Sequence, residues 1–174
     1  MKYLLIVLTL ILTTNLCAQN HFSLQEGKVS WVKVYETDKS KEEIIAHFKS
    51  CGLFKLFRVE DGKIIATLRP QPIDKDDLEV VGTLPPPLVI KTNFAGTVII
   101  GLKDGKYRVT YKDILLVGNG EMIKKGEKQK FEKHFVTKDG NSFRISFNKK
   151  PKTIYNLRFN QLFLFGNEKP KDDW

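Results

Sequence analysis

The 174-residue sequence predicts an α+β fold in which an antiparallel sheet is covered on one face by helices. Three observations carry that expectation. Alternating apolar and polar segments meet at Glu60-Asp61-Gly62 and at Lys103-Asp104-Gly105, which are hairpin turns because glycine accepts the positive φ that tight turns need. A capped amphipathic helix stands between the first strand and the first hairpin. A second stretch with helical spacing lies near the C-terminus. Hairpins make antiparallel ladders, and helices on one face complete a two-layer sandwich. With 41% hydrophobic and 28% charged residues, the composition is that of an ordinary soluble domain, not a collagen-like fibre or a polytopic membrane protein.

The chain opens with a short positive start at Lys2, an apolar run over residues 3–12, and the ending Leu16-Cys17-Ala18. This is the pattern of a secretory signal peptide over residues 1–18, cut after Ala18. The apolar run is too short to span a bilayer, which takes about 20 residues. The protein is therefore expected to be exported, periplasmic or extracellular, with no transmembrane segment after cleavage. Lipid anchoring at Cys17 is not expected: a lipobox wants Leu three residues earlier and a small residue just before, and Thr14 and Leu16 stand there. Cleavage leaves Cys51 as the one cysteine, so no intramolecular disulfide can form.

Residues 19–27 read as a flexible polar leader. Ser30 to Glu36 alternates as a strand, with Trp31, Lys33 and Tyr35 on one face and Val32 and Val34 on the other. Those aromatics are either covered core or an open platform beside Lys33. Ser40 with Glu43 forms a capping box opening a helix, whose stripe is Ile44, Ile45, Phe48 and Cys51, and Gly52 ends it. Strands follow over residues 53–59 and 63–68.

Residues 70–87 hold five of the seven prolines together with Asp74, Asp76, Asp77 and Glu79, and read as a surface connection outside the central sheet. Residues 88–102 and 106–117 form the second hairpin. Residues 28–118 thus make one α+β domain, and 119–166 form a basic extension packed on it. In that extension, 121–133 fits either a helix or a mobile loop. Residues 135–137 and 142–147 suggest a third hairpin, and 153–165 a helix, with a strand as the competing reading. Residues 167–174 are expected to fray.

Several of these segments together resemble a family of exported, Bacteroidetes-type proteins of unknown function with a TATA-binding-protein-like (TBP-like) fold. They are the strand Val32 to Tyr35, the helix opened by Ser40-Lys41-Glu42-Glu43, the turn Glu60-Asp61-Gly62-Lys63-Ile64, the run from Thr97 to Thr110, and the Ala18-Gln19 junction. The resemblance spans roughly residues 28–118. It implies the element order strand–helix–hairpin–hairpin and an exported compartment. It brings no activity and no functional residues.

Charge supplies the candidate site. Residues 19–118 hold 15 basic and 13 acidic residues, whereas 119–174 hold 13 and 7. Two clusters stand out: Lys124, Lys125, Lys128, Lys130 and Lys133, then Lys149, Lys150 and Lys152. Such a basic surface attracts an anionic partner, here an envelope protein, an anionic glycan or a lipid head group; its alternative is a solvated face that maintains solubility. Export disfavours nucleic acid. No cofactor is expected: the glycines at 118, 120 and 126 miss the phosphate-loop spacing, and the acidic run from Asp74 lacks a calcium loop's Gly and closing Glu. The three histidines, His21, His47 and His134, stand in no nucleophile or metal spacing. The sequence therefore points to an exported, non-enzymatic binding or accessory module of the cell envelope. An exported hydrolase with an unrecognised site and a self-associating structural subunit are the competing readings.

Overall fold

A computed structural model describes residues 21–74, 78 and 85–166. The segment expected to be a signal peptide, most of the acidic stretch and the tail lie outside the described residues. Among those described, the α+β expectation holds. The strands are β1 (Phe22–Gln25), β2 (Lys28–Glu36), β3 (Phe54–Glu60), β4 (Lys63–Gln71), β5 (Thr92–Lys103), β6 (Lys106–Gly118) and β7 (Lys128–Lys130). They form one antiparallel sheet in the order β1-β2-β6-β5-β4-β3, with β7 pairing the far end of β6. Helix α1 (Lys41–Ser50) carries the chain from β2 to β3 at the opposite edge, and two hairpins bring it back to β6 beside β2. The remaining helices are α2 (Pro87–Ile90), α3 (Phe131–Phe135), α4 (Ile145–Asn148) and α5 (Lys150–Phe163).

Local chemistry explains the boundaries. The Ser40 side chain accepts from the Glu43 N–H at 3.2 Å, and the Glu43 carboxylate accepts from the Ser40 N–H at 2.8 Å, closing the capping box. Asp61 and Gly62 both take positive φ, 48° and 68°, the signature of a type I′ hairpin turn. Gly118 is required by contact: a Cβ there would lie 2.3 Å from the carbonyl oxygens of Ile123 and Lys124.

One core forms on one face of the sheet. Ile154, Tyr155, Phe159 and Phe163 recur at helical spacing on α5 and are all buried. The Phe159 ring lies 5.8 Å from those of Phe22 and Trp31, 5.0 Å from Phe94, 4.9 Å from Tyr111 and 5.7 Å from Tyr155. A single helical residue thus touches β1, β2, β5 and β6. Trp31 is fully buried, which makes its face core and not a platform, and its Nε1–H donates to Asn156 Oδ1 at 2.9 Å. The Tyr107 hydroxyl donates to the Phe163 carbonyl at 2.8 Å and accepts from the Phe165 N–H at 2.9 Å, tying the end of α5 to β6. Burial pushes the Tyr107 phenol up to about 12.

The structure corrects five expectations. The described part of the leader, from residue 21, is ordered: Phe22–Gln25 pairs with β2 through the Glu26-Gly27 turn, because Phe22 finds Phe131, Phe147 and Phe159. The proline-rich connection begins later than expected, since β4 continues through Pro70 to Gln71. The register shifts between Leu68 and Gln71, so the missing proline N–H costs no regular ladder bond. The second hairpin's first strand starts at Thr92, after the proline-led turn α2. Residues 121–133 are neither one helix nor a loop throughout: a turn leads into β7 and then α3. The third hairpin reduces to a single bridge, Val136 with Phe143, because Phe147 turns into the core on α4. The helix expected over 153–165 is present and begins at Lys150. Asp74 of the acidic stretch meets the basic extension within the molecule, with Arg158 Nη1 3.1 Å from its carboxylate.

Phe159→Ala is expected to cost about 3–5 kcal/mol, the range for emptying a buried aromatic site. Chemical denaturation at constant slope checks this. Ser40→Ala, which removes the cap alone, is expected to cost about 1 kcal/mol.

Candidate binding face

Every described helix that contacts the sheet does so from the core side. Phe48 of α1 meets Tyr107, Phe131 of α3 meets Phe22, and Phe159 and Phe163 of α5 meet Tyr111. Side chains alternate along a strand, so the other half of each strand forms a second face. It is exposed around Val34, Arg108 and Lys63, whereas Ala95 and Val117, on the same face at the other end of β5 and β6, are buried. The ladder register fixes its composition. Its central row runs Val32, Thr110, Ile99, Ile65 and Arg58 from β2 to β3. One flanking row runs Val34, Arg108, Gly101, Lys63 and Glu60; the other runs Ser30, Lys112, Thr97, Thr67 and Lys55.

This face is basic. Lys55, Arg58, Lys63, Arg108 and Lys112 are all exposed on it, with Lys103 and Lys106 at the hairpin end. Its acidic residues are Glu36 and Glu60, and Glu60 is held by Arg58 at 2.9 Å. The register brings no aromatic ring to it. Val34 is 51% exposed, an aliphatic side chain left in water beside cations. Next to it lies a groove of about 320 Å³, lined by Val34, Gly101, Lys103, Lys106 and Arg108 among others.

Of the lysine clusters of the extension, Lys128 and Lys130 pair with Val117 and Leu115 and so stand on this same side of the sheet, at its far end; the others lie off the ladders. Lys124 and Lys125 sit in the turn after β6, Lys128 and Lys130 on β7, and Lys133 on α3, where its Nζ donates to Gln129 Oε1 at 3.1 Å. Lys149, Lys150 and Lys152 lie where α4 meets α5, and of these Lys150 and Lys152 are half-buried. Both groups are carried by elements that converge on the rings of Phe131, Phe135 and Phe147, so they share one end of the molecule. The sheet-face cations are hard to see in the sequence because they are single charges on four different strands, brought together by the ladders. The signal available was the alternation of Arg108, Thr110 and Lys112 along β6.

The histidines are dispersed. His21 stands edge-on to Trp31 at 5.6 Å, and His47 lies 4.3 Å from the Phe165 ring. His134 hydrogen-bonds Gln129 at 2.8 Å. The Cys51 thiol donates to the Phe48 carbonyl at 3.2 Å. Among the described residues, no group of three or more His, Cys, Asp or Glu is placed to hold a metal ion.

No protein-family model matches the chain, and no curated protein matches it significantly. Two solved structures are similar in fold. One is a TBP-like protein from Parabacteroides distasonis, 20% identical, covering 81% of this chain and 91% of its own, with a TM-score of 0.48. The other is a DUF4468 family protein from Bacteroides ovatus, 14% identical, covering 90% and 95%, with a TM-score of 0.49. Both come from Bacteroidetes. Neither likeness is close enough to carry a role to this chain.

Burial, then Lys133 and then Arg144, holds the His134 imidazole below its ordinary value; burial and Lys33 act on His21 in the same direction. An unfolded chain takes up these protons at about pH 6.5, and the folded chain only at lower pH. Their contribution is therefore complete above about pH 6.5 and is lost as pH falls through the folded values. The melting temperature is expected to drop from about pH 7 to about pH 5, and by less in His134→Gln.

Proposed function

We propose that this protein is an exported, non-enzymatic binding module of the cell envelope, which holds an anionic partner on the uncovered face of its sheet. The supporting observation is that the face opposite the core is open around Val34, Arg108 and Lys63 and gathers cations from β3, β4, β5 and β6. An uncovered face of this charge attracts an acidic partner and speeds its encounter. Its side chains are mostly Lys, Arg, Thr, Ile and Val, a set suited to holding an anionic and partly apolar partner. Export is supported by the signal pattern of residues 1–18. No described helix is long and apolar enough to cross a membrane.

The lysine clusters from Lys124 to Lys133 and from Lys149 to Lys152 enter the proposal as a further basic area, which Lys128 and Lys130 join to the sheet face. Two features weigh against self-association through strand edges. The β7 edge is three residues long and bears Lys128 and Lys130, and β3 is broken by a register shift between Lys55 and Arg58, with Leu56 at a φ of 52°. Short, charged and bulged edges resist further pairing.

The test uses the mature chain from Gln19 with two probes, a sulfated glycan and poly-glutamate, by fluorescence anisotropy at several salt concentrations. A Lys63→Glu, Arg108→Glu, Lys112→Glu variant is expected to bind both at least about tenfold more weakly, with a shallower salt dependence. Glutamates at Lys124, Lys125, Lys149 and Lys152, which lie outside the ladders, are expected to have a smaller effect. Unchanged binding by the sheet-face variant would overturn the proposal.

A further inference from the structure

Gly101 interrupts a row of side chains. On the uncovered face its neighbours across the strands are Arg108 on β6 and Lys63 on β4, each one strand spacing away, about 4.8 Å. With no side chain at Gly101, the row has a gap between two cations. Ile99 stands next to the gap on the same strand, and the groove of about 320 Å³ opens beside it toward Val34. The gap is not imposed by the backbone. Gly101 does not have positive φ, and a Cβ there would meet nothing closer than the Arg108 carbonyl oxygen at 4.0 Å. A larger β-former would fit the strand and pack better. The glycine therefore leaves open a space that the fold itself does not need.

We infer that this space is the anchor socket for a partner polypeptide, which inserts one apolar side chain over Gly101 and sets its own carboxylates against Arg108 and Lys63. This deepens the reading of the sheet face as an anion-binding surface and rests on it. Three observations select a polypeptide. The strip of Val34, Ile99 and Ile65 rewards apolar contact, which a sulfated or phosphorylated polymer does not supply. No aromatic ring of this face is available to stack a base or a sugar, the usual means of holding single strands and glycans. The cations on β4 and β6 lie about 10 Å apart across β5, two strand spacings, which matches the width of one α-helix of 10–12 Å. A buried apolar anchor ringed by charge is the arrangement that concentrates binding energy in protein interfaces.

The experiment uses the mature chain and three probes of equal net charge. They are a glutamate-rich peptide bearing one Leu-Phe pair, the same peptide with Ala-Ala, and a sulfated oligosaccharide. The variants are Gly101→Val, which fills the socket, and Arg108→Glu. Thermal melting first establishes that Gly101→Val is folded, as the open space at its Cβ requires. The Leu-Phe peptide is expected to bind at least about tenfold more tightly than the Ala-Ala peptide, by the value of burying one apolar side chain. Gly101→Val is expected to abolish that difference and leave oligosaccharide binding unchanged. Equal binding of the two peptides, or indifference of the Leu-Phe peptide to Gly101→Val, would overturn the socket while leaving the basic face intact. The same holds if the oligosaccharide binds more tightly than the Leu-Phe peptide. If Arg108→Glu leaves all three probes unaffected, the sheet-face reading falls with it.

Discussion

The fold depends on one aromatic contact set, the seating of Phe159 among rings from four strands and its own helix. Phe22, Trp31, Phe94 and Tyr111 lie on strands distributed across the chain, and all meet the same phenyl ring. Aromatic pairs at these separations prefer edge-on and tilted geometry, and Phe159 has it against Trp31 at 87° and Tyr111 at 85°. Without α5, the central strands would expose Trp31, Phe94 and Tyr111 together. The basic extension is thus the second layer of the sandwich and not an appendage to a complete domain.

That arrangement determines what is left for binding. The described helices contribute their rings to one face of the sheet, so the core lies on that side. An antiparallel sheet tolerates this because alternation puts polar and charged residues on the wet side. Here the wet side is not neutral. It carries aliphatic side chains in the middle row and cations around them, and it contains a gap at Gly101. Two bulges, at Asp113 opposite Gly96 and at Leu56 in β3, raise twist and bend the strands around this surface. Gly96 is needed for the first, since a Cβ there would lie 2.9 Å from the Lys112 carbonyl and the Tyr111 ring. The two glycines are therefore distinct in role: a Cβ at Gly96 would collide with backbone, whereas Gly101 leaves a gap on the surface.

Much of this was legible in the residues. Ser40 with Glu43 is a cap that reads the same in sequence and structure, because its partners are three positions apart. Asp61-Gly62 and Asp104-Gly105 read as turns for the same reason. The last helix is half legible: the spacing over 153–165 favours it, with a strand as the competing reading, and the burial of Ile154, Tyr155, Phe159 and Phe163 decides it. What could not be read depends on distant partners. Phe22 looks like one apolar residue in a polar leader until Phe131, Phe147 and Phe159 arrive from more than a hundred positions away. Pro70 looks like the end of a strand until a register shift accommodates it.

The candidate site divides along the same line. Lysine clusters are visible as runs, so Lys124 to Lys133 could be found by counting. The sheet-face cations are spread from Lys55 to Lys112 and never form a run. Alternation along each strand, the turns, the caps and the helix stripes are written in the residues themselves, because these depend on neighbours within a few positions. Which face the helices cover, and which residues stand side by side across the ladders, follows from packing between distant segments. Lateral register is a property of paired strands, and it is what sets Arg108 and Lys63 on either side of Gly101.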